Sequence, residues 1–248
     1  MSLWRLEFLR MVRTHRWLVL VGVFLTFGIL GPVTARYLAD IVGNFAGEIT
    51  IVVPDPRPVD GILQFVSNAT QVGLLAVVVV AASACAIDAR VEVAAFLRTR
   101  VEHAGRLLWP RYAVVACTSV LALIVGTAAA WALTGLMLGR LPIGAMLVGT
   151  LLGGLYLCFA VAVVAAASAL VRSMLPAVLV GLGVLLSLPL IGIIPSVQPW
   201  LPSHLVNAIV ALIDGAPASD SLRAAAVTIA AIPALLVTAS WRLDRREL

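Results

Sequence analysis

Four long stretches without a single acidic residue or arginine limit what this chain can fold into. Residues 64–87, 112–139, 141–171 and 177–203 contain no Asp, Glu or Arg, and the chain is 62% hydrophobic and 12% charged. Soluble domains carry about 25% charged residues, and this chain has too little polar surface to cover a globule. A bilayer core of roughly 30 Å is crossed by about 20 apolar residues in a helix. The sequence therefore predicts a single-domain, all-α integral membrane protein over residues 1–248.

The apolar runs predict six membrane-spanning helices. These spans are placed at residues 17–33, 62–87, 112–138, 143–171, 177–194 and 222–241. Gly28, Gly31 and Pro32 are expected to break the first span, because glycine and proline interrupt helices. The prolines of residues 53–58 predict an extended loop between the first two spans.

Two shorter helices are predicted beside the spans. Residues 2–15 carry arginines and aromatic residues on different faces, with Trp4, Phe8 and Met11 together, which is typical of an interfacial helix lying in the headgroup layer. Ser203 is expected to cap a helix of about 16 Å over residues 204–214, which is half a bilayer and predicts a re-entrant or interfacial helix. His204 is then a first-turn residue, with a substrate or proton role as the alternative.

The distribution of arginine predicts the orientation in the membrane. Thirteen of the seventeen arginines lie near the N-terminus, in residues 88–111, at residue 172 and in the C-terminal tail. The other side holds Arg36, Arg57, Arg140 and Arg223. Because positive loops stay in the cytoplasm, both termini are expected to be cytoplasmic. The basic pI is attributed to loops that meet anionic lipid, and no nucleic-acid partner is expected.

The charged segment, residues 88–103, is the exception to the apolar character of the chain. Acidic and basic residues alternate at helical spacing around Phe96 and Leu97, the only large apolar pair in this cytoplasmic stretch. One interpretation is a helix on which a partner docks. The alternative is a solvated amphipathic loop helix without a partner.

Several kinds of site are disfavoured by what the spans lack. Ion-coupled transporters usually carry an ionisable residue inside the membrane, and intramembrane proteases need a nucleophile with a base or a carboxylate pair. The sequence has no phosphate-binding GxxxxGK[ST] loop, and its three cysteines show no CxxC spacing. We therefore expect no catalytic residue, no metal and no cofactor in the chain. Gly135 with Gly139 and Gly149 with Gly153 form GxxxG pairs, with ordinary helix packing as the expected role and a dimer seam as the alternative.

The layout resembles the membrane subunit of bacterial ATP-binding-cassette exporters, the ABC-2 type permeases. That family places an amphipathic helix before six spans, a cytoplasmic coupling helix after the second span and re-entrant helices before the last. Its pattern after the second span is matched by Asp88 or Glu92 at the acidic position, by Phe96 and Leu97, by Thr99-Arg100-Val101 and by Arg111 at the basic position. The family's Gly-Thr pair and proline are absent from this segment.

The resemblance implies an assembly of two permeases, identical or related, with two P-loop ATPase subunits that hold ATP and Mg²⁺. Closure of the ATPase pair would push the charged segment and switch the cavity between the spans from inward- to outward-facing. Phe96 and Leu97 would plug the ATPase cleft, and the acidic position and polar rim would comprise Asp88, Arg90, Glu92, Arg98 and Arg100. The cargo would be an amphiphilic or hydrophobic compound, such as a drug or a lipid-like molecule, exported across the bacterial inner membrane. The alternative function is a non-transporting membrane scaffold or assembly protein, and the chain itself is not expected to be an enzyme.

Overall fold

The computed structural model describes residues 3–45, 56–85, 105–171 and 173–245, with side chains up to residue 38 in the first range. These residues form helices and connecting turns, without a strand. The α-helices are Leu3–Arg13, Arg16–Phe45, Pro58–Asn68, Leu74–Cys85, Gly105–Met137, Ile143–Leu170, Met174–Ile191, Ala208–Ile213 and Leu222–Asp244. A π-helical turn, Ala69–Gly73, joins the third and fourth of these, and 3₁₀ turns occur at Gln198–Trp200, Pro202–Asn207 and Ala218–Ser221.

Six helical segments are long and apolar enough to cross a membrane. The six spans are Arg16–Leu38, Pro58–Cys85, Gly105–Met137, Ile143–Leu170, Met174–Ile191 and Ala218–Asp244. The chain is a multi-pass membrane protein. The predicted all-helical, six-span architecture is confirmed at this level.

The spans alternate in direction, so the bundle has two ends. The end that holds the helix Leu3–Arg13 is called the near side, and the other end is called the far side. Gly105 lies against Ser240 on the near side, and Gly139 lies against Pro58 on the far side. The fourth span is central, with 56% of its apolar window buried inside the protein.

The first span is continuous where the sequence predicted a break. The helix runs through Gly28, Gly31 and Pro32 and ends at Phe45, beyond residue 33, where the sequence predicted the end of the first span. A side chain on Gly28 would meet the backbone of Gly126, and one on Gly31 would meet the backbone of the second span. These glycines therefore serve as contact points where two helices approach backbone to backbone, and the expectation of a break is wrong.

The third span begins earlier than expected, at Gly105 instead of residue 112. Leu107 and Leu108 are buried in the core, 4% and 0% exposed, so the apolar packing of this helix starts before Pro110 and Arg111. Arg111 thus belongs to the span instead of the preceding polar segment. The second, fourth, fifth and sixth spans lie close to the predicted ranges.

The segment between the fifth and sixth spans folds into short turns on the far side. Ser203 makes no capping hydrogen bond, and the helical region begins at Pro202, whose missing amide proton suits a first position. The 3₁₀ turn Pro202–Asn207 continues directly into the α-helix Ala208–Ile213, and together they form the short apolar helix Pro202–Ile213. Its length of about 20 Å is short of the roughly 30 Å needed to cross a bilayer core. This short helix packs on the fourth span, where a side chain on Gly149 would lie 2.5 Å from the Cα of Ile209.

Candidate functional site

The residues predicted to contact an ATPase lie outside the described residues. Asp88, Arg90, Glu92, Phe96, Leu97, Arg98 and Arg100 all fall within residues 86–104. The structure does describe both ends of this segment, at Cys85 in the second span and Gly105 in the third. The structure therefore shows the contacts that hold these two ends in place.

A buried arginine fastens the two ends to the N-terminal helix. Arg111 is 5% exposed, and its Nε donates a hydrogen bond to Oε1 of Glu7 at 3.0 Å. Its Nη1 donates to the carbonyl oxygen of Ala84 at 3.3 Å. Glu7, Ala84 and Arg111, with Arg10 at their edge, form what we call the anchor cluster. One guanidinium thus joins the N-terminal helix, the end of the second span and the start of the third.

The N-terminal helix turns a polar side chain toward the bundle. Glu7 and Met11 are one helical turn apart and are both buried, whereas Trp4 and Phe8 are 54% and 59% exposed. The sequence grouped Met11 with Trp4 and Phe8 on one apolar face, and the structure separates them. The signal that was missed is that Glu7 is the only acidic residue before Asp40. A lone carboxylate among four arginines calls for a specific partner.

The charges of the anchor cluster are buried, and pairing offsets the hydration that they lose. Glu7 also faces Nη1 of Arg10 at 3.6 Å, but the Arg10 side chain is 39% exposed, so that contact is worth little. The Glu7–Arg111 contact has both side chains at or below 8% exposure. Removing one member of such a pair leaves an uncompensated buried charge, which is strongly destabilising. The cluster therefore fixes one relative position of the three segments.

A cavity of about 610 Å³ lies in the far half of the bundle, away from the anchor cluster. We call it the far-half cavity. Its walls come from the second span, the fifth span and the segment of turns that contains the short helix. The second span contributes Ser67, Thr70 and Gln71, the last two within the π-helical turn. Such π-helical turns within α-helices occur frequently at functional sites.

The hydrogen-bonding capacity of this wall is only partly used. Thr70 donates to the carbonyl of Val66 at 2.7 Å, and Nε2 of Gln71 donates to the hydroxyl of Ser67 at 3.3 Å. The amide oxygen of Gln71 thus keeps its acceptor capacity. Across the cavity, several polar side chains form no hydrogen bond or ion pair with a described residue, among them Gln198, His204, Asn207 and Asp220.

Tyr156 connects the far-half cavity with a smaller apolar space deeper in the bundle. It is 5% exposed, lines both spaces, and its hydroxyl forms no hydrogen bond with any described residue. The inner space holds about 50 Å³ and is bounded by apolar side chains such as Phe24 and Phe65. The polar side chains thus lie in the far-half cavity, and the inner space beyond Tyr156 is mainly apolar. His204, which the sequence placed in the headgroup layer with a substrate role as the alternative, lines this cavity.

The cysteines form neither a redox pair nor a metal centre in the described chain. Cys85 is buried, Cys117 is exposed and Cys158 is half-buried, and all three are free thiols. The described ranges contain no group of three His, Cys, Asp or Glu side chains that could hold a metal. The arrangement can bind and position groups, and its chemistry is that of hydrogen bonds, charge and shape.

Comparison with known proteins leaves these two features, the anchor cluster and the far-half cavity, as the basis for assigning a function. No protein-family model matches the chain. A search of curated proteins finds no similar sequence.

Proposed function

We propose that this chain is the transmembrane subunit of an ATP-driven exporter, which forms the substrate pathway and couples to a separate ATPase. The proposal takes up the resemblance to ABC-2 type permeases in helix order. The exporter would contain two such permeases, identical or related, and two P-loop ATPases with ATP and Mg²⁺. In this arrangement the helix Leu3–Arg13 is the interfacial helix, residues 88–103 form the coupling helix, and Pro202–Ile213 is the re-entrant helix.

The observation that carries the proposal is the contact of Arg111 with both Glu7 and Ala84. The second span ends at Cys85 and the third begins at Gly105, and the charged segment lies between these two residues in the sequence. A push on this segment would reach the second and third spans together, because Arg111 ties the end of one to the start of the other. It would also reach the N-terminal helix through Glu7. A scaffold protein has no need for such a connection between a cytoplasmic segment and the spans.

The two ends of the bundle would have different roles in this mechanism. The near side contains the anchor cluster, and it would face the cytoplasm, where ATP is available. The far side contains the far-half cavity and would face outward, as the arginine distribution indicates. Movement of the second span would change the cavity directly, because Ser67, Thr70 and Gln71 form part of its wall.

The first test is the composition of the complex. We would express the tagged full chain with its genomic neighbours, purify it gently in detergent, and measure native mass and ATP hydrolysis. The expected result is a complex with two P-loop ATPase subunits and two permeases. A chain that purifies alone, or only with partners that do not hydrolyse ATP, would favour the scaffold function instead.

The docking residues give a sharper prediction. Replacement of Phe96 and Leu97 together by Asp should release the ATPase, because an apolar plug cannot carry two charges into a dry cleft. The protein should stay in the membrane, since the six spans are unchanged. The measurement is the amount of ATPase that co-purifies with the variant.

A matched control replaces two exposed apolar neighbours on the far side, Ile193 and Ile194, by Asp. They are 75% and 53% exposed, and the ATPase should remain bound to this variant. If F96D/L97D keeps a normal complement of ATPase and transports normally, residues 88–103 are not the coupling helix. Loss of the ATPase from both variants would point to general misfolding instead of a docking site.

A further inference from the structure

The far-half cavity has the size of a site for a drug-sized molecule. Its volume of about 610 Å³ falls within the range of roughly 300–1,000 Å³ that is usual for small-molecule sites. Part of its lining is apolar and comes from three different segments, with Leu63 in the second span, Leu185 in the fifth and Leu212 in the short helix. An apolar body of a ligand can therefore contact several walls at once.

The cavity also offers hydrogen-bonding groups that the described protein leaves unused. The side chains of Gln198, His204 and Asn207 form no hydrogen bond with any described residue. The hydroxyl of Tyr156 also forms no hydrogen bond with a described residue, and the Tyr156 side chain as a whole is 5% exposed. The hydroxyl borders the cavity, so water or a ligand there can pair with it. The site thus favours a ligand that is apolar at one end and polar at the other.

The charge of the lining selects the kind of polar head. Among the described residues that line the cavity, Asp220 is the only one with a formal charge at neutral pH, and none is an arginine. Arg223, one helical turn away, places its guanidinium over the ring of Trp200 at 5.6 Å from the ring centroid. Asp220 forms no ion pair within the described residues, so its carboxylate remains available as an acceptor.

We propose that the far-half cavity binds a drug-sized amphiphile with a cationic head. The head lies near Asp220 and among the amides and the hydroxyl, and the apolar body extends toward Leu185 and the floor below Tyr156. That this molecule is the exported cargo rests on the proposed function. Its binding to the cavity does not require an ATPase.

The test measures binding to the full chain in nanodiscs made of phosphatidylcholine. The probes are three dansyl-labelled amphiphiles that share one alkyl chain and end in a trimethylammonium, a hydroxyl or a sulfonate group. Saturable binding, after subtraction of empty nanodiscs, is expected for the trimethylammonium probe. The sulfonate probe should bind at least about tenfold more weakly, because it brings like charge beside Asp220.

Two pairs of variants locate the site. Ala211 lines the cavity, and Ala211→Trp should weaken binding by more than about tenfold because the ring fills the space. Ala128→Trp, at an exposed position of the third span, should leave binding unchanged. Asp220→Asn should weaken binding of the trimethylammonium probe about three- to fivefold, as expected for the loss of an exposed charge. Binding of the hydroxyl probe should be unchanged. Asp214→Asn, at another exposed far-side aspartate outside the cavity, should have no effect on either probe.

Equal binding of the three probes, or full binding by both A211W and D220N, would overturn the proposal. The outcome is separate from that of the proposed function. Binding by a chain that purifies without an ATPase would leave the site in place and remove the exporter. An ATPase complex that fails to bind the trimethylammonium probe would support the exporter and exclude the proposed binding site.

Discussion

At the scale of single residues, Glu7 and Arg111 determine how the N-terminal helix is positioned. Both are buried, and they lie 104 positions apart in the chain. A buried pair is not a large net source of stability, because both ions lose their hydration. Its effect is specificity: other positions of the N-terminal helix would leave Arg111 without Glu7. The pair thus fixes where this helix sits relative to the third span.

The prediction at this scale concerns the loss of one partner. Glu7→Ala should lower the free energy of unfolding by about 3 kcal/mol, because Arg111 would stay buried with only the Ala84 carbonyl as an acceptor. Unfolding by titration with SDS in bicelles would measure this change.

Arg10→Ala is the matched control, since it removes only the exposed contact of Glu7 and should cost less than about 1 kcal/mol. A double change of Glu7 and Arg111 to Met should recover much of the loss, because no buried charge then remains unpaired. If E7A and R10A lower stability equally, the Glu7–Arg111 pair does not anchor the helix.

The sequence could reveal the charges of this pair but not their partnership. The six spans follow from composition, because a membrane requires about 20 apolar residues for each crossing. The pairing of Glu7 with Arg111 depends instead on how the N-terminal helix docks. The sequence also placed Arg111 in the polar segment, which concealed its burial. A lone acidic residue in a basic helix was the available signal.

At the scale of helices, glycines determine how the first and third spans meet. A side chain on Gly126 would lie 2.6 Å from the carbonyl oxygen of Phe24, and Gly28 faces Gly126 directly. Of the two GxxxG pairs in the sequence, Gly149 does receive a helix closely, whereas Gly135 has open space around it. The important close approach joins residues about a hundred positions apart. A local motif could not predict it.

Gly126→Ala should therefore lower the free energy of unfolding by about 2 kcal/mol, because the added methyl group would force two backbones apart. Gly135→Ala is the control in the same helix. It should be neutral or stabilising by up to about 1 kcal/mol, since alanine is the better helix former and nothing opposes its side chain. Thermal unfolding of both variants in one detergent would compare them. Equal stability of G126A and the unchanged protein would show that the two spans do not pack as closely as described.

At the scale of the whole molecule, the direction of insertion decides whether the proposed mechanism is possible. Six spans place the first and the last described helix ends on one side, and the arginine distribution predicts that this side is cytoplasmic. An ATPase can reach residues 88–103 only in this orientation. The far-half cavity then opens toward the outside.

Two exposed serines test the orientation. Ser173 lies in the near-side turn between the fourth and fifth spans, and Ser196 lies on the far side after the fifth. In a variant whose three native cysteines are replaced by alanine, Ser196→Cys should react with a membrane-impermeant maleimide in intact cells. Ser173→Cys should react only after the membrane is opened. The opposite result would place the charged segment outside the cell and exclude coupling to a cytoplasmic ATPase.

The position of the far-half cavity also determines where the transmembrane voltage falls. A cavity of about 610 Å³ on one side brings the aqueous potential of that side into the bundle, so the far half carries a smaller share of the transmembrane voltage than a solid bundle would. Moving one elementary charge across the full field costs about 2.3 kcal/mol per 100 mV. A cation beside Asp220 has only a small part of that field left to cross toward the far side. Most of the electrical work of carrying it outward would therefore be done before it reaches Asp220.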